Sequence, residues 1–354
     1  MNELLVKLGF VPFFAQQLSD YSVQESRLGR VISVQRSVIG VACGDERRSV
    51  ELSINLQQAE PIDRPTVGDW VILDETLTRI EQVLERKSLF KRIGSGNTTQ
   101  FQPIAANIDV LFIVTSCNEE FKESRLERYL ALCNEAGAIP VIILTKIDLA
   151  DDVNSFIERA RSVQSGVAVE GVNALDLSTL DGVKGWIAGN ATIALVGSSG
   201  VGKSTLLNAL AQDTLAATGG IREDDKKGRH TTTHRELYFL PSGGLIIDVP
   251  GMRELRIADV DDGLGHVFGD IEQLSSQCRF MDCQHMNEPG CAVLASIEEG
   301  HLNKRRLDSY HKLMRENKLS TASMAEKRAK DRSFGKMVKG AKIHKEKTGR
   351  RDVP

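Results

Sequence analysis

The sequence predicts a multidomain protein in three parts: an N-terminal β-barrel, a central α/β domain whose motifs run in rotated order, and a C-terminal α-helical segment closed on a metal. Three observations predict this. Short β-branched runs separated by glycine and charged turns fill residues 30–84. Continuous apolar runs alternate with helical stretches from about 109 to 248. Three cysteines and a histidine then gather between 278 and 291.

Length and composition frame the reading. A chain of 354 residues, 41% hydrophobic with a formal net charge of −3, has the profile of a soluble globular protein of two or three domains. Its longest apolar runs, such as 109–114 and 139–144, are too short to span a bilayer, and the opening MNELLVKLGFVPFF lacks the layout of a secretory signal. A cytoplasmic protein without a membrane partner is expected, and nothing demands more than a monomer. The charge is unevenly spread. Residues 301–354 hold 17 Lys/Arg against 6 Asp/Glu, a basic tail on an acidic body.

Each part is justified in turn. Residues 1–29 read as a short helical extension. In 30–100, the runs 30–34, 37–42, 49–54, 69–73 and 80–84 are five candidate strands, which suits an OB-type barrel; an SH3-like barrel or an open meander fits the same pattern. Polar Gly94–Gln100 reads as a linker. In 101–268 the texture becomes α/β, with strands at 109–114, 139–144, 192–196, 236–240 and 244–248, and helices at 123–137, 152–164 and 203–212. Residues 269–330 form the cysteine cluster and helices, and 331–354 a basic tail expected to be disordered alone.

The chemistry is concentrated in the central part. Gly197, Ser198, Ser199, Gly200, Val201, Gly202, Lys203, Ser204 and Thr205 fit G-x-x-x-x-G-K-[ST] between a strand and a helix. Glycines let backbone N–H groups wrap phosphates, and the helix N-terminus adds its positive end. Lys203 is expected on the β/γ-phosphates and Ser204 on Mg²⁺. Asp248, opening DVPG, is placed to hold Mg²⁺ through water, with the Gly251 N–H near the γ-phosphate. The Thr231–Thr233 cluster offers a switch hydroxyl for Mg²⁺, for which Thr232 is favoured.

TKID, Thr145 to Asp148, selects the base. The Asp148 carboxylate can accept from the N1 and N2 groups of guanine, and adenine offers neither donor, which disfavours an ATPase. Lys146 would lie along the base plane. The usual first residue is Asn; Thr145 has fewer donors. Asn173-Ala174 stands where Ser-Ala is usual. Met252 follows DVPG where a water-orienting Gln would sit, so His230 is the candidate for that task, a solvated loop histidine being the plain alternative. The motifs keep their cyclic order but start at TKID, so the chain is cut just after DxxG, and the switch there leads into the C-terminal part.

Cys278-x4-Cys283-x-His285-x5-Cys291 supplies a Cys₃His set with no open position, expected to hold one structural Zn²⁺.

These residues, with Arg86–Arg92, Ile104–Asp109, GRHTTT, DVPGMREL and CRFMDCQHMNEPGCAV, resemble the circularly permuted RsgA (YjeQ/YloQ) GTPases. The resemblance implies an OB domain, a permuted P-loop GTPase domain and a zinc domain. It also implies a GTPase that acts in late maturation of the small ribosomal subunit, hydrolysing GTP to GDP with stimulation by that subunit. GTP with Mg²⁺, a structural zinc and ribosomal RNA are thus its expected ligands and partner. The barrel and the basic tail suit RNA.

Overall fold

The computed structural model describes residues 3–18, 24–35, 38–94, 100–211, 235–241, 243–248 and 257–322. Its organising feature is a single hydrogen-bonded ladder of eleven strands running from the barrel through the α/β sheet.

The barrel comprises β1 (Leu28–Val34), β2 (Ile39–Cys43), β3 (Glu46–Leu52), β4 (Trp70–Leu73) and β5 (Arg79–Val83). They follow the order β1-β2-β3-β5-β4, and a β1–β4 pairing closes the ring. Only β3 and β5 run parallel, which is the OB connectivity; the meander alternative falls. Val31, Val41, Val50, Val71, Leu73 and Ile80 fill its interior. The N-terminal extension is two helices, Glu3–Lys7 and Pro12–Leu18, rather than one. Phe10 and Phe14 lie against the fully buried Trp70, with ring centroids 4.8 and 5.8 Å away.

Residues 95–99 of the expected linker Gly94–Gln100 lie outside the described residues. On either side, β6 (Leu89–Ile93) pairs antiparallel with β7 (Phe101–Ala106), and the Gly94 N–H donates to the Gln100 carbonyl. Phe90, Ile104, Ala105 and Ala106 of these strands are buried.

The α/β sheet adds β8 (Val110–Ser116), β9 (Ile139–Thr145), β10 (Ala168–Gly171), β11 (Thr192–Val196), β12 (Arg235–Phe239) and β13 (Leu245–Asp248), in the order β10-β9-β8-β11-β13-β12. All pair in parallel except β12. β8 is buried at every residue, as an apolar run covered on both faces should be. Its side chains alternate. Val110, Phe112 and Val114 join Leu206, Leu207, Leu210 and Ile187 on one face. Leu111 and Ile113 join Leu126, Leu130 and Leu264 on the other. Helices Glu123–Ala136 and Val153–Arg161 thus lie on one side, and Asp181–Ile187 and Lys203–Ala211 on the other.

The C-terminal part contributes helices Asp261–Val267, Gly269–Ser275, Ala292–Glu298 and Lys304–Thr321. Asp261–Val267 crosses Glu123–Ala136 closely enough that a Cβ on Gly263 would sit 2.1 Å from the Ala131 carbonyl. Charge completes the seam. Glu127, fully buried, accepts from Arg305 (3.0 Å), Arg306 (3.3 Å) and Ser309. Arg306 also donates to both oxygens of Asp270 (2.6 and 2.9 Å) and to the carbonyls of Val163 and Val267.

A different buried cation joins the barrel. Arg30, 1% exposed, donates to the carbonyls of Leu8, Gly68 and Asn107 and to Thr192 Oγ1. Burial pulls its pKa down to about 10, opposed by the nearby charges of Asp109 and Asp69. The barrel also extends the sheet directly, through Ser33↔Glu236 and Val34↔Arg235 between β1 and β12.

Candidate functional site: a nucleotide cleft and a Cys₃His cluster

Parallel pairing sets the C-terminal ends of β9, β8, β11 and β13 side by side, where such sheets bind ligands. Those ends carry the expected motifs. Val196 leads into Gly197, Thr145 into Lys146, Gly171 toward Asn173, and β13 stops at Asp248.

Gly197 is required where it stands. Its φ is 149°, and a Cβ would lie 2.2 Å from the Val114 carbonyl. Gly200 and Gly202 also have positive φ, so the loop turns back before helix Lys203–Ala211 begins. Val201 is buried as the loop's anchor, while Ser199, Gly200, Ser204 and Thr205 are exposed. The half-buried Lys203 donates from Nζ to the Ser198 carbonyl, so its ammonium lies over the loop.

The structure brings the base motif onto that loop. Thr145 Oγ1 lies 2.5 Å from the Val201 carbonyl and 3.2 Å from that of Thr115. Lys146, held at φ 57°, donates from Nζ to the Gly200 carbonyl at 2.8 Å. Asp148 follows, exposed, in the short 3-10 turn Ile147–Leu149. Thr145, at 1% exposure, lies beneath the loop and braces it.

Asn173 and Ala174 stand one strand over, half-buried in a turn built by Asn173 itself. Asn173 Oδ1 accepts from Leu175 N at 3.0 Å, and Thr179 Oγ1 donates to the Asn173 carbonyl at 3.0 Å. Asp248, half-buried, follows Ile247, which pairs with Ala194 of β11, so it stands beside the strand that feeds the phosphate loop. His230, Thr231, Thr232, Thr233, Gly251 and Met252 lie outside the described residues.

The second expected constellation also assembles. One ligand atom each from Cys278, Cys283, His285 and Cys291 lies within 4.8 Å of all the others, a group that could hold a metal ion. Cys278 Sγ is 3.9 Å from Cys291 Sγ, and His285 Nδ1 is 3.7 and 3.4 Å from those two sulfurs. His285 adopts φ 56°, which turns its ring inward, and Nε2 meets Ser275 Oγ at 2.7 Å. That hydroxyl can accept a proton from Nε2, the tautomer that leaves Nδ1 free to ligate. Burial raises the Cys278 thiol, but backbone N–H groups of Ala292 and Val293 and bonds from Cys291 and Cys283 outweigh it, and its pKa is lowered.

Two supporting residues escaped the sequence reading. Ser275 carried no signal. Glu288 carried one, a carboxylate just before Pro-Gly in a cysteine-bounded loop. It accepts from the N–H groups of Gln284 (2.9 Å), Met286 (2.8 Å) and Asn287 (3.0 Å). Bonds from Gln284 and Met286 above all hold its pKa down at about 2. The loop around His285 is therefore shaped by Glu288 as well as by any metal.

Comparison with known proteins agrees with this geometry. The RsgA GTPase family model matches residues 83–258. The chain is 45% identical over 343 residues to "Small ribosomal subunit biogenesis GTPase RsgA 2" of Vibrio parahaemolyticus, covering 97% of this chain and 94% of that protein. It is 41% identical to the RsgA of Mesorhizobium japonicum over 90% of this chain and 91% of that one. YjeQ from Thermotoga maritima superposes with a TM-score of 0.60 at 27% identity, covering 81% and 96% of the two chains. YloQ, described as a circularly permuted GTPase, gives 0.59 at 28%, covering 82% and 94%. The rotated motif order and these relatives lead to one conclusion: the chain belongs to the RsgA family of circularly permuted GTPases.

Proposed function

We propose that this GTPase acts in the late maturation of the small ribosomal subunit, hydrolysing GTP to GDP and phosphate when docked there. One observation carries the nucleotide half of the reading: Thr145 and Lys146 are hydrogen-bonded to the phosphate loop at Val201 and Gly200, so base and phosphates of one ligand are read in one cleft. In that cleft Asp148 takes the N1 and N2 groups of guanine, Lys146 underlies the ring, and Asn173-Ala174 closes the base from β10. Residues Gly197 to Thr205 hold the phosphates through backbone N–H groups, with Lys203 on their charge and the Gly251 N–H near the γ-phosphate.

Ser204, Asp248 and Thr232 are the residues that would hold Mg²⁺. Ser204 lies in the first turn of the helix that follows β11 and its loop, and Asp248 ends β13, the parallel strand beside β11, an oxygen donor set of the kind that ion takes. Bound there, Mg²⁺ would supply neutralisation of phosphate charge. His230 orients the attacking water, since Met252 cannot. A His230→Ala chain should keep its affinity for GTP yet lose subunit-stimulated hydrolysis.

The ion of the Cys₃His set is read as zinc. Tetrahedral Zn–S bonds of about 2.3 Å put two sulfurs about 3.8 Å apart, close to the 3.9 Å between Cys278 and Cys291. Four protein ligands leave no coordination position for a substrate, so the ion is structural.

The chain divides as the extension 1–29, the OB domain 30–100, the GTPase domain 101–268, the zinc domain 269–330 and the basic tail 331–354. The OB and C-terminal parts contact ribosomal RNA, and the protein works as a cytoplasmic monomer. Among the described residues no helix is long and apolar enough to cross a membrane. Phosphate release measured against a titration of purified small subunits tests the reading. A saturable rise is expected, and a flat response would sink the subunit-dependent function while leaving the nucleotide site standing.

A further inference from the structure

We infer that this site reads guanine without a hydrogen bond to N7, so that a 7-deazaguanine nucleotide binds as tightly as its guanine counterpart. The inference rests on the guanine-nucleotide reading of the cleft and deepens it. Guanine presents two acceptors, N7 and O6, on one edge, and its N1 and N2 donors on another. A side chain that reads N7 needs a proton pointing out of the protein. Thr145 has a single hydroxyl proton, and the two groups nearest its Oγ1, the carbonyls of Val201 at 2.5 Å and Thr115 at 3.2 Å, are acceptors only. The hydroxyl therefore donates inward.

Position reinforces this. Thr145 is 1% exposed, and a Cβ on the overlying Gly202 would come within 3.4 Å of the same Oγ1. An asparagine there has two amide protons, one for the loop carbonyl and one to spare for the base. Threonine keeps the brace and drops the base contact. The Lys146 ammonium is engaged on the Gly200 carbonyl, over the phosphate loop. Discrimination against adenine then falls on Asp148, acting at the opposite edge of the base.

The test is equilibrium competition on the full chain, with GDP, 7-deaza-GDP, IDP and ADP displacing a fluorescent guanine nucleotide. For the protein as it stands, 7-deaza-GDP should bind within about twofold of GDP, since no bond to N7 is lost. IDP lacks the 2-amino group and should be weaker by about tenfold, the worth of a hydrogen bond to a charged acceptor. Thr145→Asn should tighten GDP alone, opening a gap of about fivefold over 7-deaza-GDP. A native preference for GDP over 7-deaza-GDP of about tenfold, the size of one good hydrogen bond, overturns the inference. That native ratio decides even if Thr145→Asn fails to fold. ADP and IDP competing as well as GDP would instead bring down the guanine reading itself.

Discussion

The α/β body is gripped from two sides, and the two grips are built from different materials. On the barrel side the join is mostly backbone: β1 continues the sheet beside β12, and the buried Arg30 is answered almost wholly by carbonyls. On the helical side the join is side chains: two acids, Glu127 and Asp270, meet two arginines, Arg305 and Arg306, over an apolar helix crossing. A backbone join fixes register, because strand pairing admits no small slip. A charge network fixes helix position only while every member is present, because removing one leaves its partners buried and unpaired. The first should yield locally, the second all at once.

Substitutions can break that contrast. The largest effect is expected from Glu127→Ala, which leaves Arg306 short of one of its two acids. It should cost about 3–5 kcal/mol in chemical denaturation, and hydrogen exchange should rise together across 261–275 and 304–321. Next is Arg30→Met, which strips donors from three buried carbonyls and should cost about 2–3 kcal/mol. Exchange should then rise in 28–34 and 192–196, with 304–321 still protected. Exposure of that helix by Arg30→Met would show that the two grips are not separate.

Cys283→Ser sharpens the helical side further. It should abolish tight metal retention, measured by metal analysis after gel filtration, and loosen 278–291. Helix Lys304–Thr321 should stay docked through Glu127 and Arg306. The smallest effect belongs to the Arg128–Glu316 pair, whose side chains keep 27% and 29% of their exposure. Arg128→Ala should cost less than about 1 kcal/mol and mostly at low salt.

What the sequence made legible follows the same line. The barrel strands, the phosphate loop with its flanking strand and helix, TKID and the cysteine spacing are local patterns, each set by residues a few positions apart. The strand expected at 192–196 is β11 at those same residues. The short β10 and helix Asp181–Ile187 went unread, since Ala168-Val-Glu-Gly171 is too brief to show a period. The pairing of β6 with β7 is not announced by the Gly/Ser-rich residues between them, which read as a linker. The bracing role of Thr145 needs Val201, 56 positions away, and the Glu127 network spans more than 170. No spacing rule reaches across such gaps.

The pairing of β1 with β12 has a consequence for anyone who would shorten this protein. β12 is the outermost member of the GTPase sheet, and β1 pairs with its first two residues, Arg235 and Glu236. A fragment begun after residue 106 would leave that part of the edge unpaired, an invitation to edge-to-edge aggregation. The barrel therefore chaperones its neighbour as a built-in guard against self-association, quite apart from whatever it binds.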